Sequence, residues 1–227
     1  MHLPLLERPK ESAPREGFFE QQQYDDVRRH LAPELQVAVQ IAHTFGWRMQ
    51  SEILILERRH VDLEAGTLRL DPGTTKNRDG RIAYLTPELK TALAGQLDRV
   101  KALERRLGRI VPFVFPHVGT GSRAGQRRRD FRKAWVSACE AAGVPGKYRH
   151  DFRRTAIRNM ERRGVPRSVA TKITGHRTES VYRRYAIVSD ADLREAARKL
   201  TGTISGTIAH VGIDEVREVR ENQGMGG

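Results

Sequence analysis

The hydrophobic period of this chain switches from helical to alternating and back again, and this restricts the fold more than any single residue does. Over residues 33–45, Leu35, Ala38, Val39, Ala42 and Phe45 recur at helical spacing behind Pro33, and Val37 and Ile41 widen the apolar face. That pattern predicts a buried helix, preceded by a polar one over 18–31 and followed by a short one over 51–54. Between 60 and 86 the strings HVDLEAGTLRLD and GRIAYLTP alternate apolar and polar residues around Gly66 and Gly80. This predicts a small antiparallel sheet, with a loop over 72–79. Pro87 then opens a long helix to Leu107, with Leu89, Leu93, Leu97, Val100 and Leu103 on one side. After a loop rich in Gly and Arg, residues 129–142 return to helical spacing, with Phe131, Trp135, Cys139 and Ala142 inward and Gly143 as the stop. Four short helices are expected over 150–163, 166–173, 178–185 and 191–200. The fold class is therefore mainly α with a small antiparallel β-sheet.

The same reading sets the domain organisation. Residues 1–16 hold Pro4, Pro9 and Pro14 among charges and read as an extended arm. Residues 17–200 form the folded domain, long enough to bury a sizeable core. Residues 201–227 lack sustained periodicity and read as a tail.

Charge narrows the partner. The chain carries 41 Lys plus Arg against 28 Asp plus Glu, a net +13. Each phosphate neutralised by such a surface releases condensed counterions, so a nucleic acid is the expected partner. A ribosome-associated protein would carry the same charge, so composition names no reaction. The single cysteine, Cys139, excludes an internal disulfide and suits a reducing cytosol. No apolar run is long enough to span a bilayer, and a cytoplasmic location is expected.

The reaction is suggested by the last third of the chain. His150 and Arg153 stand three apart, on adjoining positions of one helical face, with Phe152, Ala156 and Met160 as a separate apolar stripe. The polar pair is expected to point outward. Gly175 closes the next helix as a C-cap, which sets His176 at the following turn. Tyr185 comes nine residues after His176, and Tyr182 one helical turn before Tyr185. Guanidinium groups, imidazoles and a phenol suit a phosphodiester: the first bind and neutralise it, and the last attacks it.

The strings RHDFRR (149–154), TGHR (174–177) and YRRYAIV (182–188) resemble, in that order, the active-site boxes of the tyrosine recombinases, the phage integrase family. The resemblance extends over roughly residues 17–200. HTFGWRMQSEILIL resembles the family's first arginine box, usually threonine–glycine–apolar–arginine with a glutamate three residues on. Here Phe45 separates Thr44 from Gly46, and Glu52 lies four residues after Arg48, so this turn holds one extra residue. Lys76, in GTTKNRDGRIAYLTP, resembles the family lysine at a β-hairpin tip.

By that resemblance, Tyr185 attacks the scissile phosphate and forms a 3′-phosphotyrosyl link. Arg48, His150, Arg153 and His176 converge on the phosphate as cations, Lys76 protonates the leaving 5′ oxygen, and Glu52 holds Arg48. The implied function is that of a site-specific DNA recombinase or integrase catalytic domain, working as a tetramer on double-stranded DNA. No cofactor is implied, since a phosphotyrosyl bond stores the energy needed for religation. No Cys/His cluster has zinc spacing, and no carboxylate set suggests magnesium. Arg127, Arg128, Arg129, Arg132 and Lys133 are expected to contact backbone phosphates. The rival readings are a type IB topoisomerase-like nicking-closing enzyme and a truncated remnant that only binds DNA or regulates a full-length recombinase. A plain basic nucleic-acid-binding protein is the third. Family members usually carry an N-terminal DNA-clamping domain, and a full-length relative or accessory protein would supply it here.

Overall fold

The computed structural model describes residues 17–73, 80–176, 178, 182–183, 193–194 and 196–200. The chain divides into two units, residues 1–186 and 187–227. In the first, helices α1 (Gln21–Arg29), α2 (Pro33–Phe45), α3 (Pro87–Leu107), α4 (Arg132–Ala141), α5 (Asp151–Arg162) and α6 (Arg167–Thr174) pack about a main core, with smaller apolar clusters between α5 and α6 and beside the later part of α3. A small sheet of β1 (Val61–Asp62), β2 (Thr67–Leu70) and β3 (Arg81–Tyr84) packs beside them. In the second unit, residues 193–194 and 196–200 are helical, and Leu193 and Leu200 are exposed. The mainly helical class with a small antiparallel sheet is the one the sequence predicts. Among the described residues, no helix is long and apolar enough to cross a membrane.

Helix α2 is the centre of the fold. Pro33 starts it, where a missing N–H costs nothing, and Gly46 ends it in the left-handed region at φ 68°. Leu35, Val37, Ala38, Val39, Ile41, Ala42 and Phe45 are all buried, so the helix is apolar nearly all round. Helix α3 starts at Thr86, whose hydroxyl accepts the Leu89 N–H at 3.3 Å. Leu89, Leu93, Val100 and Leu103 form its buried stripe. The sheet has the order β1-β2-β3, with Leu68 opposite Ala83 and Leu70 opposite Arg81. Leu68, Leu70 and Ala83 face inward, while Ile82 and Tyr84 stand 61% and 77% exposed. The strand thus turns its two largest apolar side chains to solvent and an arginine toward the protein.

Helix α5 corrects an expectation. Phe152, Ala156 and Met160 are buried as a stripe, but Asp151, Arg153, Thr155, Ile157 and Arg158 are buried too. The segment before α1 accounts for much of this. Phe19 stacks on Phe152 at 4.5 Å and donates its N–H to Thr155 Oγ1 at 2.9 Å. Arg158 donates to the Phe19 carbonyl at 3.0 Å and pairs with Glu20 at 2.7 Å. The helix is wedged between α2 and the N-terminal segment.

Candidate active site

Arg153 is drawn inward rather than presented outward. It is 2% exposed, and its Nη1 donates to the Gly46 carbonyl at 2.8 Å across 107 residues of sequence. Its Nε donates to His176 Nε2 at 3.1 Å. Gly46 is suited to this place twice over. Its φ of 68° is one that side chains rarely adopt, and a Cβ would lie 3.2 Å from the Ala156 methyl. The end of α2 therefore reaches close to α5 and hands Arg153 a carbonyl.

Directly after Gly46 the chain makes a single wide turn, Met49–Ile53, in which Ile53 N–H bonds Arg48 O at 3.1 Å and Leu54 N–H bonds Met49 O at 2.9 Å. These five-residue bonds define a π-type turn, which accommodates one more residue than an α-turn. The extra residue that separates Arg48 from Glu52 is absorbed here. The fully buried Glu52 carboxylate folds back on Arg48, accepting its backbone N–H at 2.6 Å and its Nη1 at 2.7 Å. Arg81, from β3, brings its Nη2 within 2.6 Å of the same Oε1. Arg48 keeps 28% of its side chain exposed, so one buried carboxylate secures a guanidinium that still opens to solvent.

Arg48, Gln50, Tyr148, Arg149, His150 and Arg153 line one open cleft of about 340 Å³. His176 lines a neighbouring cleft with Arg81, Thr171, Lys172 and Gly175, and its bond to Arg153 links the two. Trp47 braces the arrangement: its Nε1 donates to the Ile173 carbonyl at 2.8 Å, and Arg81 lies over its ring at 5.3 Å.

Burial and the surrounding arginines disfavour the charged form of both imidazoles in the DNA-free site. Burial, and then Arg153, Arg48, Arg81 and His150, push His176 down to about 3. Its hydrogen bonds set one tautomer. Thr174 Oγ1 donates to the Ala170 carbonyl at 2.8 Å, so it accepts from His176 Nδ1 at 2.7 Å. Nδ1 then carries the proton, and Nε2 accepts from Arg153. His150, at the start of α5, is exposed at its surface, yet desolvation against the cleft wall and then Arg153 and Arg48 lower its pKa as well. Both shifts favour the neutral ring. The positive charge of the site belongs to arginines, and the imidazoles are left to exchange protons and hydrogen bonds.

Of the residues singled out in the sequence, the structure brings together Arg48, Glu52, His150, Arg153 and His176. Lys76 and Tyr185 lie outside the described residues. Tyr182 is fully buried against Ala156, Ile157, Met160 and Ala170, edge-on to His176 at 5.6 Å between ring centroids. Burial raises its phenol to about 12. Among the basic cluster, Arg127, Arg129, Arg132 and Lys133 are exposed. Arg128 departs from that group: it pairs at 3.1 Å with the buried Glu34, which makes it an internal tie between α2 and the loop before α4. Cys139 is buried, and desolvation lifts its thiol to about 11. Among the described residues, no group of His, Cys, Asp and Glu could hold a metal ion.

Arg81 is the site residue that sequence reasoning missed. Its signal was phase: in the ladder Leu70 stands opposite Arg81 and Leu68 opposite Ala83, which puts the arginine on the inward side. An inward arginine on a short strand calls for a buried anion.

A sequence model described as the phage integrase family matches residues 18–192. Among solved structures, XerA recombinase is similar, with a TM-score of 0.63 at 20% identity over 80% of this chain and 64% of that one. The catalytic domain of bacteriophage HP1 integrase gives a TM-score of 0.54 at 18% identity over 80% of this chain and 94% of that one. XerH site-specific recombinase, bound to its palindromic difH substrate in a post-cleavage complex, gives 0.59 at 17% identity over 80% and 52%. The chain thus spans less than two thirds of the XerA and XerH chains. At these identities the likeness is one of fold. No curated protein matches the chain significantly.

Proposed function

The chain belongs to the phage integrase family, and on that premise we propose that it is the catalytic domain of a site-specific DNA recombinase or integrase. The observation that carries this reading is the convergence of Arg48, His150 and Arg153 on one cleft, with His176 hydrogen-bonded to Arg153 at 3.1 Å. Side chains so far apart in sequence, two of them permanent cations, are gathered in this way where an anion is to be bound. A duplex phosphate fits, because a guanidinium keeps its charge near neutral pH and its N–H groups donate to phosphate oxygens.

In the proposed reaction, Arg48 and Arg153 bind the non-bridging oxygens of the scissile phosphate and offset the charge that grows there. Tyr185 attacks phosphorus, and its phenolic proton passes to a neutral imidazole, with His150 the better exposed of the two. The bond to the 5′ oxygen breaks, and Lys76 donates the proton that this oxygen needs. The phosphotyrosyl bond replaces one phosphodiester, so the reverse attack by a 5′ hydroxyl rejoins the strand without a nucleotide cofactor. The exposed Arg127, Arg129, Arg132 and Lys133 hold backbone phosphates. Copies of the chain assemble as a tetramer on DNA, in the cytoplasm beside the nucleoid.

The test is a nicked duplex whose short cleavage product diffuses away, selected from a randomised pool. The wild-type chain should form a protein–DNA adduct that survives denaturation. Tyr185→Phe should bind the same DNA and form none. Binding without an adduct would leave a DNA-binding remnant, and relaxation of supercoils without strand exchange would make the chain a nicking-closing enzyme.

A further inference from the structure

Arg81 enters the site from the sheet, yet the proposed reaction gives it no part. Its side chain is 7% exposed and turned to Glu52 and Gly175, and it is not part of the cleft that Arg48, His150 and Arg153 line. Three contacts define its place. Nη2 meets Glu52 Oε1 at 2.6 Å, as an ion pair out of line for a hydrogen bond. Its guanidinium carbon lies 5.3 Å from the Trp47 ring centroid. Its Nη1 occupies the space where a side chain at residue 175 would begin. Gly175 is therefore required for two reasons: a φ of 69°, and the arginine that fills the missing Cβ's place.

From these contacts we propose that Arg81 is a positioning residue for strand cleavage: through Glu52 it fixes Arg48, and by packing on Gly175 it fixes the backbone that carries His176. The inference rests on the recombinase reading above. Glu52 Oε1 is shared between Arg48 Nη1 and Arg81 Nη2, and Oε2 is held by the Arg48 backbone N–H. With Arg81 present, the carboxylate is braced from the sheet side and cannot turn away from Arg48. Without it, one oxygen loses its second cation, and the face of Gly175 opens. Replacing both members of a buried ion pair by apolar residues of like volume suits packing about equally well, so stability alone does not call for the pair. What the ion pair adds is direction, because it joins the sheet to the turn that carries Arg48.

The experiment compares wild type, Arg81→Gln, Arg81→Lys, Glu52→Gln and Arg81→Gln/Glu52→Gln on a nicked duplex selected by adduct formation with the wild-type chain. Single-turnover adduct rates, DNA affinity and Tm are measured for each. A positioning role predicts an adduct rate about 100-fold lower for Arg81→Gln with DNA affinity unchanged, the cost of a small misplacement of the reacting groups. Arg81→Lys, which keeps one charge on Glu52 but lacks the fork, should fall between. The double variant should be no slower than the slower of Arg81→Gln and Glu52→Gln, because both act through one contact. Additive losses, or a rate loss that only follows a fall in Tm and affinity, would overturn the inference. If Arg81→Gln does not fold, Arg81→Lys carries the test, and a wild-type rate there overturns it.

A second substrate, with sulfur in place of the leaving 5′ oxygen, separates positioning from proton donation. Sulfur departs without a proton, so Lys76→Ala should recover on it while Arg81→Gln stays slow. Recovery of Arg81→Gln would assign the arginine to leaving-group protonation and refute the positioning role. If the wild-type chain forms no adduct, the recombinase reading fails and this inference with it. If wild type and Arg81→Gln react equally fast, this inference alone fails.

Discussion

Glu52→Gln is the most searching single perturbation of this site, because the structure dictates what an amide cannot do there. Both carboxylate oxygens receive donors: Oε2 accepts the Arg48 N–H at 2.6 Å, while Oε1 accepts Arg48 Nη1 at 2.7 Å and meets Arg81 Nη2 at 2.6 Å. A glutamine offers one oxygen and one NH2. Turned one way, its NH2 faces the Arg48 amide; turned the other, it faces two guanidinium groups. Either way a charge-assisted hydrogen bond is lost, at about 1.5–3 kcal/mol, and a buried donor is left unsatisfied, at about 1–3 kcal/mol. Together these give about 2.5–6 kcal/mol, a range that brackets the usual cost, about 3–5 kcal/mol, of removing one partner from a buried ion pair. At about 2–4 °C per kcal/mol for a chain of this size, Tm should fall by roughly 10 °C in a calorimetric scan. Glu52→Asp, which keeps the charge but shortens the reach, should lose less. The adduct rate of Glu52→Gln should fall more steeply than its DNA affinity, since Arg48 would remain charged but lose its fixed orientation. A Tm within about 2 °C of wild type would show that the carboxylate does not hold Arg48 as described, and the reasoning would fail.

Three further outcomes follow from the same structure. Tyr182→Phe removes a buried hydroxyl that has no hydrogen-bond partner among the described residues, so stability should stay level or rise by about 1 kcal/mol, with adduct formation retained; lost adduct formation in that variant would move the nucleophile from Tyr185 to Tyr182. Burial, and then Arg163, push His43 down to about 4, and His176 sits at about 3, so both are neutral when folded, and the unfolded chain binds more protons below its ordinary histidine pKa. Their stabilisation is fully present above about pH 6.5 and is lost as pH falls toward the folded values, by roughly 2 kcal/mol each at pH 5. His43→Phe should shrink the difference in unfolding free energy between pH 5 and 7 by that amount, and an unchanged difference in denaturant titrations would refute the neutral, half-buried ring. DNA binding should weaken steeply with salt, and Arg129→Ala or Lys133→Ala should each lower the slope of log affinity against log salt by about 1; Arg128→Ala should instead cost stability, and the reverse pattern in a salt titration would undo the division of this cluster.

The residues themselves determine a good deal of this protein. Periodicity marks α2 and α3, and the change to alternation marks the sheet, because backbone hydrogen bonding ties each period to one local geometry. The apolar stripe Phe152–Ala156–Met160 is legible for the same reason, and so is the C-cap at Gly175. The count from Arg48 to Glu52 discloses an extra residue in the turn, though not the π-type turn that absorbs it. Other features depend on partners far along the chain. Arg153 reads as an outward residue until α2 closes over it and Gly46 offers a carbonyl from 107 positions away. Arg128 looks like one of a row of surface cations, yet Glu34 claims it across 94 residues. The downward pKa shifts of His150 and His176 are not legible in sequence, because desolvation and the approach of the arginines exist only in the packed molecule. Arg81 escapes notice because alternation reveals that a strand has two faces and leaves open which face meets the core. Local sequence sets the period of each element; its phase, its burial and the charges that meet across it are decided by tertiary packing, which brings distant groups into a medium where unpaired charge is costly.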